Sequence, residues 1–485
     1  MPAPLTWLAR RLGYTPARPG RPAPVAARYD AAQTDDTNRR HWLGADGLSA
    51  AAANSPEVRR VLRNRARHER ANNPYVDGLV RTKALDLIGA GPRVQLTGPA
   101  GSAPGPLRTV AREFARWADA VALADELTTG DEAKTTDGEV FLVAIDNPAV
   151  DHPVKVGVRA VECDRVREPG YAPGPDGGDG IEFDAAGNPV AYKLLKTHPA
   201  DPLHRPDQFD RLPAAAVFHW FRAARPGQVR GVSELASMLS LTAYQRRYLM
   251  AVVAAAEAGA TIAGVMETDL PPPEDVGRAA EFDRLEYERA AFLTVPHGWK
   301  AHAFKSEQPT STAKEFNGEL LNGMGRGVLA PFNVIAGNSS GYNFSSGRLD
   351  HIPYHRSHWV ERDRLRRRFL GRLFRHWFLE AAEVGLVPAG CPPLADLAVD
   401  WQWDGFAAID PGKDAAAAAE RIAAGLSTLS EECAAEGKDW RATLEQQAVE
   451  RAERVRLGLP DPAAPPPTAN GSPEQTADEE AARAA

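Results

Sequence analysis

The stretch Gly337–Gly347, GNSSGYNFSSG, is the part of this 485-residue chain that comes nearest to a reactive constellation. Its first five residues fit G-x-S-x-G, the string of a nucleophile elbow, so Ser339 or Ser340 would be the nucleophile of a hydrolase. An elbow also needs a strand before it, a helix after it and a His–acid pair, and no such partner is placed in the sequence. A phosphate-cradling loop would end in Gly-Lys-Ser/Thr, and this stretch contains no lysine. What remains is a supple, uncharged, polar loop between an apolar run and an Arg-rich helix. It is built from Asn338, Ser339, Ser340, Tyr342, Asn343, Phe344, Ser345 and Ser346.

Just beyond it, His351, His355 and His358 stand at i, i+4 and i+7, which on a helix gives a metal-like face. Pro353 interrupts them and no Cys or carboxylate completes a ligand set, so no metal is expected. Cys163 beside Asp164 lacks a flanking base and reads as a buried structural thiol. The helix from Arg348 to Arg375 holds nine arginines against Asp350, Glu361 and Asp363. Arg348, Arg356 and Arg362 are candidates for phosphate or inter-subunit contact, while Leu365, Phe369, Leu373 and Trp377 form a stripe that must pack. A sequence-nonspecific DNA-binding protein using this helix is the alternative reading, and a sequence-specific DNA-binding module a further one. No enzyme constellation and no cofactor motif survives.

The totals bound the rest. The chain has 43% hydrophobic and 25% charged residues, with 57 Lys+Arg against 64 Asp+Glu. That length calls for about three domains. The slight acidity disfavours a protein that grips DNA, because cations on phosphates supply most such affinity. Three dispersed cysteines fit a reducing compartment. No signal core is present, and the longest apolar run, Leu249 to Ala256, is far short of the roughly twenty residues a bilayer span needs. A soluble intracellular chain without membrane contact is expected.

The elements that must position these residues follow from pattern. Residues 1–35 read as an extended Pro/Arg/Ala-rich arm and 460–485 as a disordered tail. Two helices flank a break at Asn72-Asn73-Pro74 and stop at Gly89 and Gly91. A helix near 105–122 precedes a half-buried strand, Gly138 to Asn147. Residues 154–220 are mostly β, with a turn at Asp184–Pro189. One helix is expected over Val232–Ala258, about 40 Å long, with Leu241, Tyr244, Tyr248, Val252 and Ala255 on one face. "ATIAGVM" and "AAFLTVPHGWKAHAF" read as strands around an acidic Pro-rich insert. A second helix from about Thr310 repeats Phe316, Leu320, Met324 and Val328, yet carries Gly318, Gly323, Gly325 and Gly327. Each interior glycine costs roughly 1 kcal/mol, so it is kinked, movable or crowded against a neighbour. The Arg-rich helix runs to about Glu383. The segment around "VDWQW" reads as loop, followed by two or three helices with Ser427 or Thr428 as an N-cap.

Several motifs in this order resemble the lambda-like family of tailed-bacteriophage portal proteins. They are "RARHERANNPYVDGLVRTKALDLIGAGPRVQ", "TTDGEVFLV", "GIEFDAAGNPVAYKL" followed by "PAAAVFHWFRAARPGQVRGVSELASML", "YNFSSGR" and the region beginning "IDPGKDAAAAAERIAAGL". The Arg225–Gly231 core is the most specific of them. The resemblance spans about Arg28 to Leu459, with Phe344 where the family usually has Tyr.

The resemblance implies a multidomain α+β portal fold that closes into a ring. Its divisions fall at 36–231 (wing), 232–258 (first stem helix), 259–305 (small α/β clip), 306–335 (second stem helix), 336–346 (tunnel loop), 347–400 (long wing helix and return) and 401–459 (crown-like helical region). It implies a homo-oligomer, typically of twelve subunits, at one capsid vertex of the virion, assembled in the host cytoplasm. Its partners would be double-stranded DNA in the channel, the terminase large subunit, a head–tail adaptor and the major capsid or scaffold protein. The DNA-lining residues would be those of the tunnel loop, Asn338 to Ser346.

Overall fold

Side-chain caps set the first helical pair. Ser55 accepts from Val58 N–H and opens α1 (Pro56–Asn72), with proline in the first turn, where a missing N–H costs nothing. Asn73 ends α1 in an extended conformation and at once caps α2 (Pro74–Ile88) through Tyr75 N–H. Gly89, at φ 56°, closes α2. The computed structural model describes residues 40–169, 179–261, 264–268, 299–303, 312–406 and 410–460. The N-terminal arm, most of the clip insert and the C-terminal tail therefore lie outside the described residues. The chain divides into two units, 1–53 and 54–485; the first has a four-residue helix, Ala50–Ala53.

Among the described residues the larger unit mixes helix and antiparallel sheet, as expected for α+β. After β1 (Arg93–Thr97) come α3 (Pro104–Ala120) and α4 (Leu123–Asp137). No local pattern announces α4, whose polar run LADELTTGDEAKTTD has almost no apolar periodicity; it is helical because its charged residues find buried partners. β2 (Glu139–Asp146) is the centre of a sheet in the order β3 (Val156–Glu162), β2, β7 (Val217–Phe221). It is not half-buried. Val140 and Leu142 face one core with Phe114, Trp117, Phe374 and Trp377, and Phe141 and Val143 face another with Cys163, Val166 and Tyr192. The second core is closed by β4 (Ile181–Phe183), β5 (Pro189–Leu195) and β6 (Phe209–Pro213), a three-stranded antiparallel sheet. Asp184 forms the expected β4–β5 turn by accepting from Ala186 and Asn188 N–H.

Four differences from the sequence reading concern the long helices. The first, α5 (Leu239–Thr261), starts seven residues later than expected, because Ser233 and Leu235 are buried in an irregular turn. Beyond it β8 (Gly264–Thr268) pairs with β9 (Trp299–Ala303). The second, α6 (Ala313–Gly327), stops at Gly327 and does not reach 335; Leu329, at φ 63°, reverses the chain into α7 (Phe332–Ala336). Two of its glycines mark crowding. A Cβ at Gly325 would lie 2.8 Å from Ala330 O, and one at Gly327 would lie 2.8 Å from Ser237 Oγ. The third helix, α8 (Phe344–Leu365), begins three residues before Gly347, so Phe344, Ser345 and Ser346 are helical rather than loop. A π-helical turn, Arg366–Leu370, joins it to α9 (Gly371–Glu383), and Leu365, Phe369, Leu373 and Trp377 are all buried as the stripe required.

The "VDWQW" segment is a strand, β10 (Ala398–Gln402), paired with β1; strand pairing between residues 300 apart leaves no local trace. Helices α10 (Pro411–Ala423), α11 (Leu429–Ala435) and α12 (Trp440–Arg456) follow, with Thr428 and Glu431 forming a capping box.

Gly138 ties these parts together. It ends α4 at φ 97°, and a Cβ there would sit 2.3 Å from the carbonyl carbon of Val232. Gly138→Ala is expected to cost roughly 2–4 kcal/mol, from left-handed strain plus displaced backbone. Chemical denaturation would read this as a lower midpoint at unchanged slope.

Candidate nucleic-acid channel segment

Residues Gly337–Asn343 form a short connection between α7 and α8, and every residue but Tyr342 is exposed. Local bonds give it a definite shape. Gly337 at φ 60° ends α7, Asn338 Oδ1 accepts from Ser340 N–H, and Ser339 O accepts from Tyr342 N–H. Asn343 caps α8 by a reciprocal capping box with Ser346. The Tyr342 hydroxyl is hydrogen bonded to Asp350 on α8, and burial, then that bond, raises its pKa. Asn333 on α7 reaches His351 at 3.0 Å. The connection is thus clipped to α8 at both ends, and only Asn338 to Gly341 project freely.

Two long helices precede α7 in the chain. α5 and α6 pack antiparallel: Tyr248 meets Phe316 edge-on at 4.8 Å, and Gly323 leaves room for Leu241. Their centre is polar. Asn73 Nδ2 donates to Gln245 Oε1 at 3.0 Å, and Gln245 Nε2 donates to Asn317 Oδ1 at 3.1 Å. Asn73 and Gln245 are buried, as is Thr242. One amide relay therefore links the α1–α2 corner to both long helices, seconded by Arg246 on Glu69 at 2.8 Å. Of the face read from sequence, Tyr244 is 60% exposed, and after Leu239 the buried positions among the described residues of α5 are the polar Thr242 and Gln245.

The histidines each have a different use. His351 bonds Asn333, His355 stacks on Phe406 at 3.8 Å and 6°, and buried His358 bonds the Tyr354 carbonyl. Burial, then the neighbouring His351 and His358, pushes His355 down to about 4. Among the described residues the one His/Cys/Asp/Glu cluster with metal-like spacing is Asp137–Cys163–Asp164, and Arg63 and Arg67 already pair with its carboxylates. Burial holds the Cys163 thiol well above its ordinary pKa.

Of the three arginines singled out, Arg362 is a correction. It is buried and donates to Leu87 O, Asp86 O and Asp404 O, at 2.8, 2.9 and 2.9 Å, capping the carbonyl end of α2. It has no surface left for phosphate or for a neighbouring subunit. Arg356 is exposed, and Arg348 is exposed 3.7 Å from Asp414.

The residues that sequence reasoning passed over are the charged ones inside. Glu139, at the start of β2, accepts from Arg230 Nε and Nη2, from Gly231 N–H and from His219. Burial would raise its pKa, but Arg230 and His219 outweigh that and hold it well below the usual carboxylate range. Nearby, Lys134 sits between Asp131, Glu234 and Glu361, and Lys83 between Asp131 and Glu234. A signal existed: Glu139 and Arg230 both lie inside the quoted motifs, in otherwise apolar or glycine-rich surroundings.

Two outcomes are expected. Gln245→Leu strands the buried Asn73 amide and the half-buried Asn317 amide and should cost about 2–4 kcal/mol, with α5 opening first to limited proteolysis. Because the His355 pKa is depressed when folded, the unfolded state binds more protons between pH ~6.5 and about 4. Stability should be full above that window and fall with pH within it. His355→Phe, keeping the stack on Phe406, should flatten the profile of denaturation midpoint against pH.

The chain is similar to known proteins over most of its length. The family model for "Phage portal protein, lambda family" matches residues 37–359. The chain is 23% identical to the probable portal protein of Halomonas phage phiHAP-1, over 98% of this chain and 96% of that one. It is also 23% identical to portal protein B of Escherichia phage lambda, over 67% and 68%. Among solved structures it is similar to a chain in the neck of an empty GTA particle, at 13% identity, TM-score 0.44, and 80% and 91% coverage. A second is from the native gene transfer agent virion, at 14%, TM-score 0.43, and 82% and 93%. With its motifs in order and a family match over about two thirds of its length, the chain belongs to the lambda family of phage portal proteins.

Proposed function

We propose that this portal protein closes into a ring, of twelve copies, whose bore passes double-stranded DNA, and that Asn338 to Gly341 of each copy border the narrowest part. The observation that carries it is an exposed, uncharged, hydrogen-bonding connection held at both ends on α8. In a passage for a polymer with a charge every ~1.7 Å, amides and hydroxyls make brief contacts, whereas a ring of lysines would trap it. The terminase large subunit, a head–tail adaptor and the capsid or scaffold protein are the partners this role requires, at a capsid vertex that assembles in the host cytoplasm. The residues 239–261 and 313–327 serve as stem, 264–303 as clip and 410–460 as crown.

The role is structural rather than enzymatic. Ser339 Oγ is met by the Asn333 amide at 3.5 Å, and an amide cannot take its proton. No helix among the described residues is long and apolar enough to cross a membrane.

Sedimentation and negative-stain imaging should find rings with a central hole. Asn338→Lys should leave ring mass unchanged while making DNA retention by isolated rings steeply salt-dependent, since each added cation on phosphate contributes its counterion release. Rings whose DNA retention ignores this substitution would place the loop away from the bore.

A further inference from the structure

β7 is an outer strand of its sheet, and among the described residues no strand pairs with its far side. An open strand edge is a hazard, because its free N–H and C=O groups attract other extended chains. Proteins guard such edges by keeping them short or by placing charge or proline on them. The other edges here follow that rule. β3 carries Arg159 and Glu162, β4 has three residues, and β6 holds Asp210, Arg211 and Pro213. β7 reads VFHWF and has none of these guards.

A cleft of about 500 Å³ opens along that edge. Phe218 and His219 point to opposite faces of β7, yet both line it, and no residue of β2 does. On the His219 side the wall is Phe183 and Tyr192 of the second sheet. On the other side Phe218 stacks on Phe369, ring centres 5.3 Å apart, next to Arg368 and Arg372. No Asp or Glu lines the cleft. Arg368 is exposed and has no partner among the described residues. Arg372 donates to the Ala214 and Ala215 carbonyls, at 2.6 and 2.5 Å, and pairs with no described carboxylate.

We propose that β7 accepts an added strand from an extended segment of a partner protein, one that alternates apolar and acidic residues. Backbone bonds to the open edge supply the affinity. Side chains on a strand alternate between two faces, so the apolar ones enter beside Phe183 and Tyr192 and the acidic ones meet Arg368 and Arg372. Charge selects this occupant, because a basic segment would face two guanidiniums with no carboxylate to offset them. A DNA duplex has phosphates for the guanidiniums but nothing apolar to set against the two aromatic rings. This docking does not depend on ring closure, since edge and cleft belong to one copy.

The test uses the full chain, dilute and at assembling concentration, with a fluorescein-labelled octapeptide of alternating valine and aspartate as probe. Polarisation should show saturable binding, and hydrogen exchange of residues 217–221 should slow roughly ten-fold with peptide present. Arg368→Glu alters an exposed side chain, so circular dichroism and denaturation midpoint should stay unchanged while peptide affinity falls roughly ten-fold. The same peptide with lysine in place of aspartate should not bind. A probe that does not bind the dilute chain overturns the inference. So does binding that leaves 217–221 unprotected and ignores Arg368→Glu. Protection on assembly alone overturns it too, since the cover is then a second copy, and protection by a short DNA duplex would make the cleft a phosphate contact instead.

Discussion

The carboxylate of Glu139 is the constraint on which the rest is built. It is fully enclosed and accepts from the Arg230 guanidinium, the Gly231 amide and the His219 ring, with the Arg63 guanidinium 3.8 Å away. A buried charge left unpaired is costly, so these groups have to converge or the fold loses several kcal/mol. Convergence forces three distant segments together: α1, the α4–β2 corner and the chain leading into α5. The glycines complete it, since Gly138 and Gly231 approach so closely that a Cβ on Gly231 would overlap the Gly138 carbonyl. The direction in which α5 leaves the sheet is thereby fixed by charge and by missing side chains, not by an apolar seam.

Polar anchoring continues outward. The Lys83–Lys134 cluster fastens α2, α4 and α8 to Glu234, just before α5. Burial opposes the Lys134 charge, but Glu234, Asp131 and Glu361 more than offset it; reciprocally, Lys134 and Lys83 overcome burial to hold Glu234 ionised. Further along, the Asn73–Gln245–Asn317 relay sets the register of the two long helices. Buried polar networks tolerate few arrangements, because any slip leaves donors without acceptors. Apolar contacts such as Tyr248 on Phe316 supply adhesion, and the amides supply position.

The same division appears at the Gly337–Asn343 connection. Its ends are held by the Asn343–Ser346 box, the Tyr342–Asp350 bond and the Asn333–His351 bond, whereas Asn338 to Gly341 are bonded mainly to one another. A segment built in this way has its ends fixed on the molecule and its tip held mainly by its own bonds. The tip carries no charge, whereas α8 carries the buried Arg362 and the exposed Arg348 and Arg356.

Much of this was legible in the residues alone. Proline and asparagine at 72–74, the Asp184 turn, the Leu365–Trp377 stripe and the Thr428 cap all act within a few residues of themselves, so local pattern determined them. The quoted motifs, taken in order, determined the family. What only the tertiary structure decided was everything set by partners far away in the chain. The polar run of α4 became helix because Lys134 and Asp131 found Lys83, Glu234 and Glu361; β1 and β10 became strands because they found each other. Arg362 looked like a surface cation until three carbonyls from two other segments enclosed it, and of the kink, movement or crowding that the α6 glycines allowed, Ala330 against Gly325 and Ser237 against Gly327 give crowding. Sequence spacing encodes which side of a helix a residue occupies, but the energy of a buried charge or a missing Cβ depends on what lies opposite, and that is a property of the folded chain.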